Sequence, residues 1–213
     1  MLVGERMSRP VISITRDMPI HDALALFKKE RIRRAPVLKD GKLIGIISDK
    51  DLLNASPSQA TSLSVWEMNY MLSKITVKEV MTRDVLTVQA DTPIEEAARL
   101  MADNKIGGVP VMKADKVVGM ITETDLFKIF LELMGARTKG IRVTAIAEDH
   151  PGQLAMITKA IADAGGNFIS FGQFAGTDGK TVIVTFKVAE MKLEDVKKAL
   201  AKVVVKFVDV REC

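Results

Sequence analysis

The chain has 213 residues, 47% of them hydrophobic and 27% charged, the balance of an ordinary globular protein with room for one large domain or two small ones. Its net charge of +4, from 31 Lys and Arg against 27 Asp and Glu, is too mild a bias to argue for a nucleic-acid partner. No apolar run approaches the ~18 residues that cross a bilayer, and no signal-peptide pattern opens the chain, so the expectation is a cytoplasmic protein with no membrane partner.

In chain order, the first feature is a repeat. An offset of 74 lays residues 3–52 on residues 77–126 without a gap, with 19 identities where unrelated sequences give about three. In the first copy, residues 11–14 form a β-prone run. Asp17-Met18-Pro19 then opens a helix, with Pro in the first turn where its missing N–H costs nothing. Apolar residues at 20, 23, 24 and 27 give that helix one buried face. Strand-like runs at 35–38 and 43–47 flank a turn at 39–42, and a further helix starts after Ser48. A linker at 56–76 carries a helix expected at about 62–73.

The second copy repeats the plan. A β-prone run at 85–88 leads to a helix opened by Asp91-Thr92-Pro93, then strand runs at 109–112 and 117–121. A last helix follows Thr122, with an apolar face of Leu126, Ile129, Phe130 and Leu133, and Gly135 ends it. Each β-α-β-β-α copy has about 50 residues, too few to be comfortable alone, so the two copies are expected to pack as one module.

Beyond a short linker the pattern changes to strand (142–147), helix (154–164), strand (167–174), strand (180–188), helix (193–201) and strand (203–210). Thr177-Asp178-Gly179 supplies a hairpin turn, and Val182, Val184, Phe186 and Val188 alternate with period two. This is the ferredoxin-like βαββαβ order. The fold class is therefore α+β, divided into repeat 1 (1–55), linker (56–76), repeat 2 (77–135) and a C-terminal domain (140–213).

Two motifs carry the chemistry. Both copies contain Gly-h-h-[Ser/Thr]-x-x-Asp, with Ser48 and Asp51 in the first and Thr122 and Asp125 in the second. As a helix cap, the hydroxyl residue is the N-cap and the Asp sits near the positive end of the dipole. As a binding motif, the carboxylate holds a ribose diol beside a helix N-terminus that favours anions. Spacing alone leaves both readings open.

These motifs, with Ala35-Pro36-Val37 and Val109-Pro110-Val111, resemble the CBS domain family, which occurs as tandem pairs that bind adenosyl ligands between the copies. The resemblance implies an adenine held between the first strand and the residues before Pro-Val, here Ile12 with Ala35, and Leu86 with Val109; Pro36, Gly108 and Pro110 join the nucleotide-binding set. Phosphates need cations, and the first copy offers Arg33, Arg34 and Lys50 where the second has Gly107, Gly108 and Thr124. The expectation is a first site for AMP, ADP or ATP. The second site would suit a less anionic adenosyl group such as S-adenosylmethionine, or stay empty.

In the last domain, Asp149-His150-Pro151-Gly152-Gln153-Leu154 followed by Gly165-Gly166-Asn167 resembles the ACT family. That resemblance implies amino-acid or metabolite contacts at Asp149, His150, Pro151, Gly152 and Asn167, in sites formed where two copies pair. A CBS pair followed by an ACT domain resembles the AcuB family of acetoin-utilisation proteins.

Enzymatic fingerprints are absent: the chain has no P-loop, GxGxxG, GxSxG or HExxH. Cys213 is the one cysteine, and His21 and His150 are the only histidines, which excludes an intrachain disulfide and a Cys-based zinc site within one chain. No catalytic residue, metal ligand or obligatory cofactor is assigned. The expected function is a homodimeric regulatory protein that senses an adenosyl nucleotide and controls a partner enzyme in acetoin or related carbon metabolism. The alternatives are a ligand-free assembly subunit and a nucleotide-hydrolysing enzyme.

Overall fold

The structure, a computed structural model, describes residues 1–55 and 73–213. The helix expected at about 62–73 lies, but for its last residue, outside them. The chain forms two compact units, Met1–Leu126 and Phe127–Cys213.

In the first unit the sequence repeat becomes a structural one. The first copy comprises α1 (Val3–Arg6), β1 (Ile14–Thr15), α2 (Ile20–Glu30), β2 (Arg34–Lys39), β3 (Lys42–Ser48) and α3 (Asp49–Asn54). The second comprises α4 (Val77–Val80), β4 (Val88–Gln89), α5 (Ile94–Asp103), β5 (Gly108–Lys113), β6 (Lys116–Thr122) and α6 (Glu123–Leu133), a helix that runs on past the boundary between the units. Each sheet has three strands, ordered β1-β2-β3 and β4-β5-β6. The first strand of each is parallel to the second, and the last pair is antiparallel. The register shifts fall at matching places, after Val37 and after Val111. So do left-handed residues, Arg31 and Asp40 against Lys105 and Ala114. Pro19 and Pro93 stand one position earlier than expected, as N-caps rather than first-turn residues.

The unit of sequence is not the unit of packing. Val3, fully buried, belongs to the core of the second copy, with Val88, Ala97, Met101, Val109, Val111 and Ile121. Val77, equally buried, belongs to the core of the first, with Ile14, Ile20, Phe27, Val37, Ile47 and Leu52. Each leading segment thus completes the other copy. Backbone bonds fix the exchange: Ser8 pairs with Met120 on β6, and Thr82 pairs with Ile46 on β3.

This exchange explains why the β-prone runs at 11–14 and 85–88 yield strands of only two residues. The intervening backbone is occupied in crossing from one sheet to the other. Close approach also sets two glycines. A Cβ at Gly45 would lie 2.6 Å from Met81 Sδ, and one at Gly119 would strike Met7 Sδ.

The second unit is a four-stranded antiparallel sheet with two helices. Its elements are β7 (Ile141–Glu148), α7 (Gln153–Asp163), β8 (Asn167–Ala175), β9 (Thr181–Ala189), α8 (Leu193–Leu200) and β10 (Lys206–Glu212). The order β10-β7-β9-β8 is the ferredoxin-like arrangement. Ile141, Val143, Ala145 and Ala147 of β7 and Val182, Val184, Phe186 and Val188 of β9 meet Ile157, Ile161, Val196 and Leu200 in one core. The final strand starts at Lys206 rather than 203, because the N–H groups of Val203 and Val204 turn back to the Leu200 carbonyl and close α8. The apolar face expected on α6 is only half buried. Ile129 is inside, while Phe130 and Leu133 are 55% and 59% exposed.

Candidate functional site

The two [Ser/Thr]-x-x-Asp motifs fold as capping boxes, but their carboxylates end in different surroundings. At the start of α3, Asp51 Oδ2 accepts from the Ser48 N–H at 2.8 Å and from its hydroxyl at 2.7 Å. Asp51 Oδ1 has no partner among the described residues, and the residue is half-buried at a cavity wall. At the start of α6, Asp125 Oδ2 accepts the same pair of donors from Thr122. Here Oδ1 also accepts a hydrogen bond from Ser8 Oγ at 3.1 Å, and the residue is 6% exposed. The exchanged leading segment of the first copy thus closes over the carboxylate of the second.

The cavity beside Asp51 has a volume of about 450 Å³, within the range of small-molecule clefts. Both copies build it. From the first come Arg33, Arg34, Ser48, Asp49, Lys50 and Asp51. From the second come Thr82, Asp84, Val85, Leu86, Lys105, Gly107, Gly108 and Val109. Of the residues singled out in the sequence, Arg33, Arg34, Ser48, Lys50, Asp51, Leu86, Gly108 and Val109 therefore share one cavity. Ile12, Ala35, Pro36, Pro110, Thr122 and Asp125 do not line it.

Grouping by copy missed that Asp51 shares its cavity with Thr82, Asp84, Val85 and Leu86, the segment leading into β4 of the other repeat. It also missed Lys105, the repeat mate of Arg31. The signal for Lys105 was available, since both residues end a helix before the strand that carries Pro-Val.

Arg34 stands where the copies meet. A Cβ on Gly107 would fall 2.5 Å from Arg34 Nη2, and one on Gly108 would fall 2.7 Å from Arg34 Nη1. The Gly-Gly pair that replaces Arg-Arg in the second copy is the space the guanidinium occupies. Burial draws the Arg34 pKa below its ordinary value, opposed by the negative charges of Glu123 and Asp49. The cations are thus not the property of one copy's site, as the copy-by-copy reading had them. The guanidinium reaches from the first copy to the glycines of the second.

The C-terminal candidates behave differently. Asp149, His150, Pro151 and Gly152 form the exposed turn between β7 and α7, with Gly152 as N-cap at φ 93°. The Asp149 N–H donates to the Lys180 carbonyl. His150 Nδ1 lies 2.9 Å from the Pro151 carbonyl, and Nε2 lies 3.7 Å from Glu148 Oε2. Asn167 is at the other end of the sheet. Glu148 pairs with Thr181 at the start of β9, whereas Asn167 pairs with Ala189 at its end, roughly 26 Å away at ~3.3 Å per residue. One copy does not bring these residues together.

Comparison with known proteins agrees with this architecture. The CBS domain family matches residues 3–58 and 77–132, and the ACT domain family matches residues 141–205. The chain belongs to the CBS domain family. It is a CBS pair joined to an ACT domain.

Among the solved structures that resemble it, three illustrate the match, each over less than two thirds of this chain. The CBS domain pair of protein MJ0100, in complex with 5′-methylthioadenosine and S-adenosyl-L-methionine, is 31% identical with a TM-score of 0.51, over 61% of this chain and 99% of that one. A protein from Vibrio cholerae described as an acetoin utilization protein, AcuB, is 30% identical with a TM-score of 0.53, over 64% of this chain and 95% of that one. CBSX2 of Arabidopsis thaliana, in complex with AMP, is 28% identical with a TM-score of 0.52, over 61% of this chain and 96% of that one. Among the described residues, no helix is long and apolar enough to cross a membrane.

Proposed function

We propose that this protein is a non-catalytic sensor of a phosphorylated adenosine, bound in the cavity at Asp51. The observation that carries the reading is the union in one cavity of a carboxylate oxygen with no partner among the described residues and four cations, Arg33, Arg34, Lys50 and Lys105. Asp51 Oδ1 would accept from the ribose diol while Oδ2 keeps capping α3. Leu86 and Val109 would flank the adenine, and the cations would hold phosphate through charge-assisted bonds. The adenosyl ligands of the MJ0100 pair and CBSX2 support this ligand class. Asp125, already accepting from Ser8 and Thr122, supports Asp51 as the first site to fill.

The likeness to AcuB supports a regulatory role in acetoin or related carbon metabolism, exercised through a partner enzyme. At the ACT turn, the distance from Asp149 to Asn167 supports a metabolite site shared between two copies of a homodimer. The test is thermal unfolding with AMP, ADP, ATP, NAD and S-adenosylmethionine on the unaltered protein, Asp51→Ala and Asp125→Ala. Ligand at 100 times its Kd adds about 2.7 kcal/mol, a shift of several degrees. The expected result is a shift that Asp51→Ala loses and Asp125→Ala keeps. No shift with any adenosyl compound would reject the reading.

A further inference from the structure

The second unit holds a cavity of about 430 Å³, lined by Lys128, Leu131, Glu132, Gly135, Arg137 and Thr138. Behind its wall lies Lys187, near the end of β9 and 5% exposed. Its Nζ donates to the carbonyls of Gly135 and Thr138, at 3.0 Å each, and has no carboxylate partner among the described residues. An ammonium withdrawn from water and met only by neutral dipoles favours a countercharge nearby.

The two carbonyls that hold it belong to Gly135 and Thr138, both lining residues, so the charge lies directly behind the cavity lining. Lys128, Arg137 and Lys187 against Glu132 leave two positive charges. Arg137 and Thr138 are exposed, and neither has a side-chain partner among the described residues.

We infer that this cavity is a binding site for a small dianion of the dicarboxylate or phosphate-monoester class. Arg137 grips one anionic group bidentately, and Thr138 donates to it. Lys187 balances its charge from behind. The site needs one copy only, lies apart from the Asp149–Gly152 turn, and does not depend on the nucleotide reading.

The experiment is an amide chemical-shift titration of the full chain with succinate, inorganic phosphate and acetate at one ionic strength. Saturable movement of the Gly135 and Thr138 amides by either dianion, and not by acetate, is expected. Succinate alone would assign a dicarboxylate, and phosphate alone a phosphate ester. Arg137→Ala should weaken the dianion at least about tenfold, as expected for one lost charged hydrogen bond. Lys187→Met should abolish the preference for dianions over acetate. Lys187→Met depends on a buried site, but Arg137 is exposed and its variant keeps the test decisive if Lys187→Met fails to fold. Three results would overturn the site: no movement at these amides, movement confined to Gly107 and Gly108, or unchanged affinity in Arg137→Ala.

Discussion

At the scale of single residues, one difference between the copies falls where they touch. Arg34 lies in the space that Gly107 and Gly108 leave open, so a change on either side is felt on the other. Gly108→Ala would put a methyl 2.7 Å from Arg34 Nη1 and 2.9 Å from the Ile121 carbonyl. The guanidinium can move, but the β6 backbone cannot move cheaply. The expected outcome is a loss of about 1–3 kcal/mol of stability from overpacking together with weaker AMP binding, read by chemical denaturation and by calorimetry. Arg34→Ala should weaken AMP with little loss of stability, since it deletes a half-buried side chain that no ion pair holds among the described residues. Both motifs and both Arg-Gly replacements were legible in the sequence. The meeting of Arg34 with Gly108 was not, because it depends on which copy faces which.

At the scale of elements, short helices depend on their caps, and α4 shows the dependence on pH. Glu79 Oε1 accepts from the Thr76 N–H at 3.0 Å and from its hydroxyl at 2.6 Å. These bonds hold the Glu79 carboxyl below its ordinary value of 4.5. A carboxylate lowered in the folded state stabilises fully above its unfolded value. That stability is lost as the pH falls through the lowered folded value. Unfolding measured between about pH 3 and pH 6 should therefore show a decline below 4.5 that Glu79→Gln reduces.

The ladder pairs β2–β3 and β5–β6 follow from alternation and turn residues and were predicted to within a residue. The strand at 11–14 was not found as expected, because β propensity cannot report that a backbone is committed to crossing between sheets. Likewise the three valines at 203–205 look like strand, yet the first two close α8 by bonding to Leu200. Periodicity fixed which face of α6 is apolar and could not say that Phe130 and Leu133 stay outside.

At the scale of the whole molecule, the first unit depends on its exchanged leading segments. Val3 and Val77 are each fully buried in the other copy's core. Val3→Ala should cost about 2 kcal/mol, and hydrogen exchange should find the loss in β4, β5 and β6 rather than in β1, β2 and β3. Val77→Ala should do the reverse. Ser8→Ala removes one hydrogen bond from the Asp125 carboxylate and should cost about 1 kcal/mol of stability, read by chemical denaturation. The sequence announced a pair through its gapless repeat, but a self-alignment places like residues opposite one another and says nothing of which copy receives them.

The same crossing carries a statement about ancestry. A single ancestral repeat folded in this way would have left its own core open at the place its leader vacated, and only the leader of a twin molecule could have filled it. The smallest self-sufficient ancestor is thus two identical chains related by a dyad, each lending its first turn to the other. Linking two such chains end to end would require no new core and no new interface, only a tether, and would leave each half free to differ from the other, as Arg33-Arg34 differs from Gly107-Gly108.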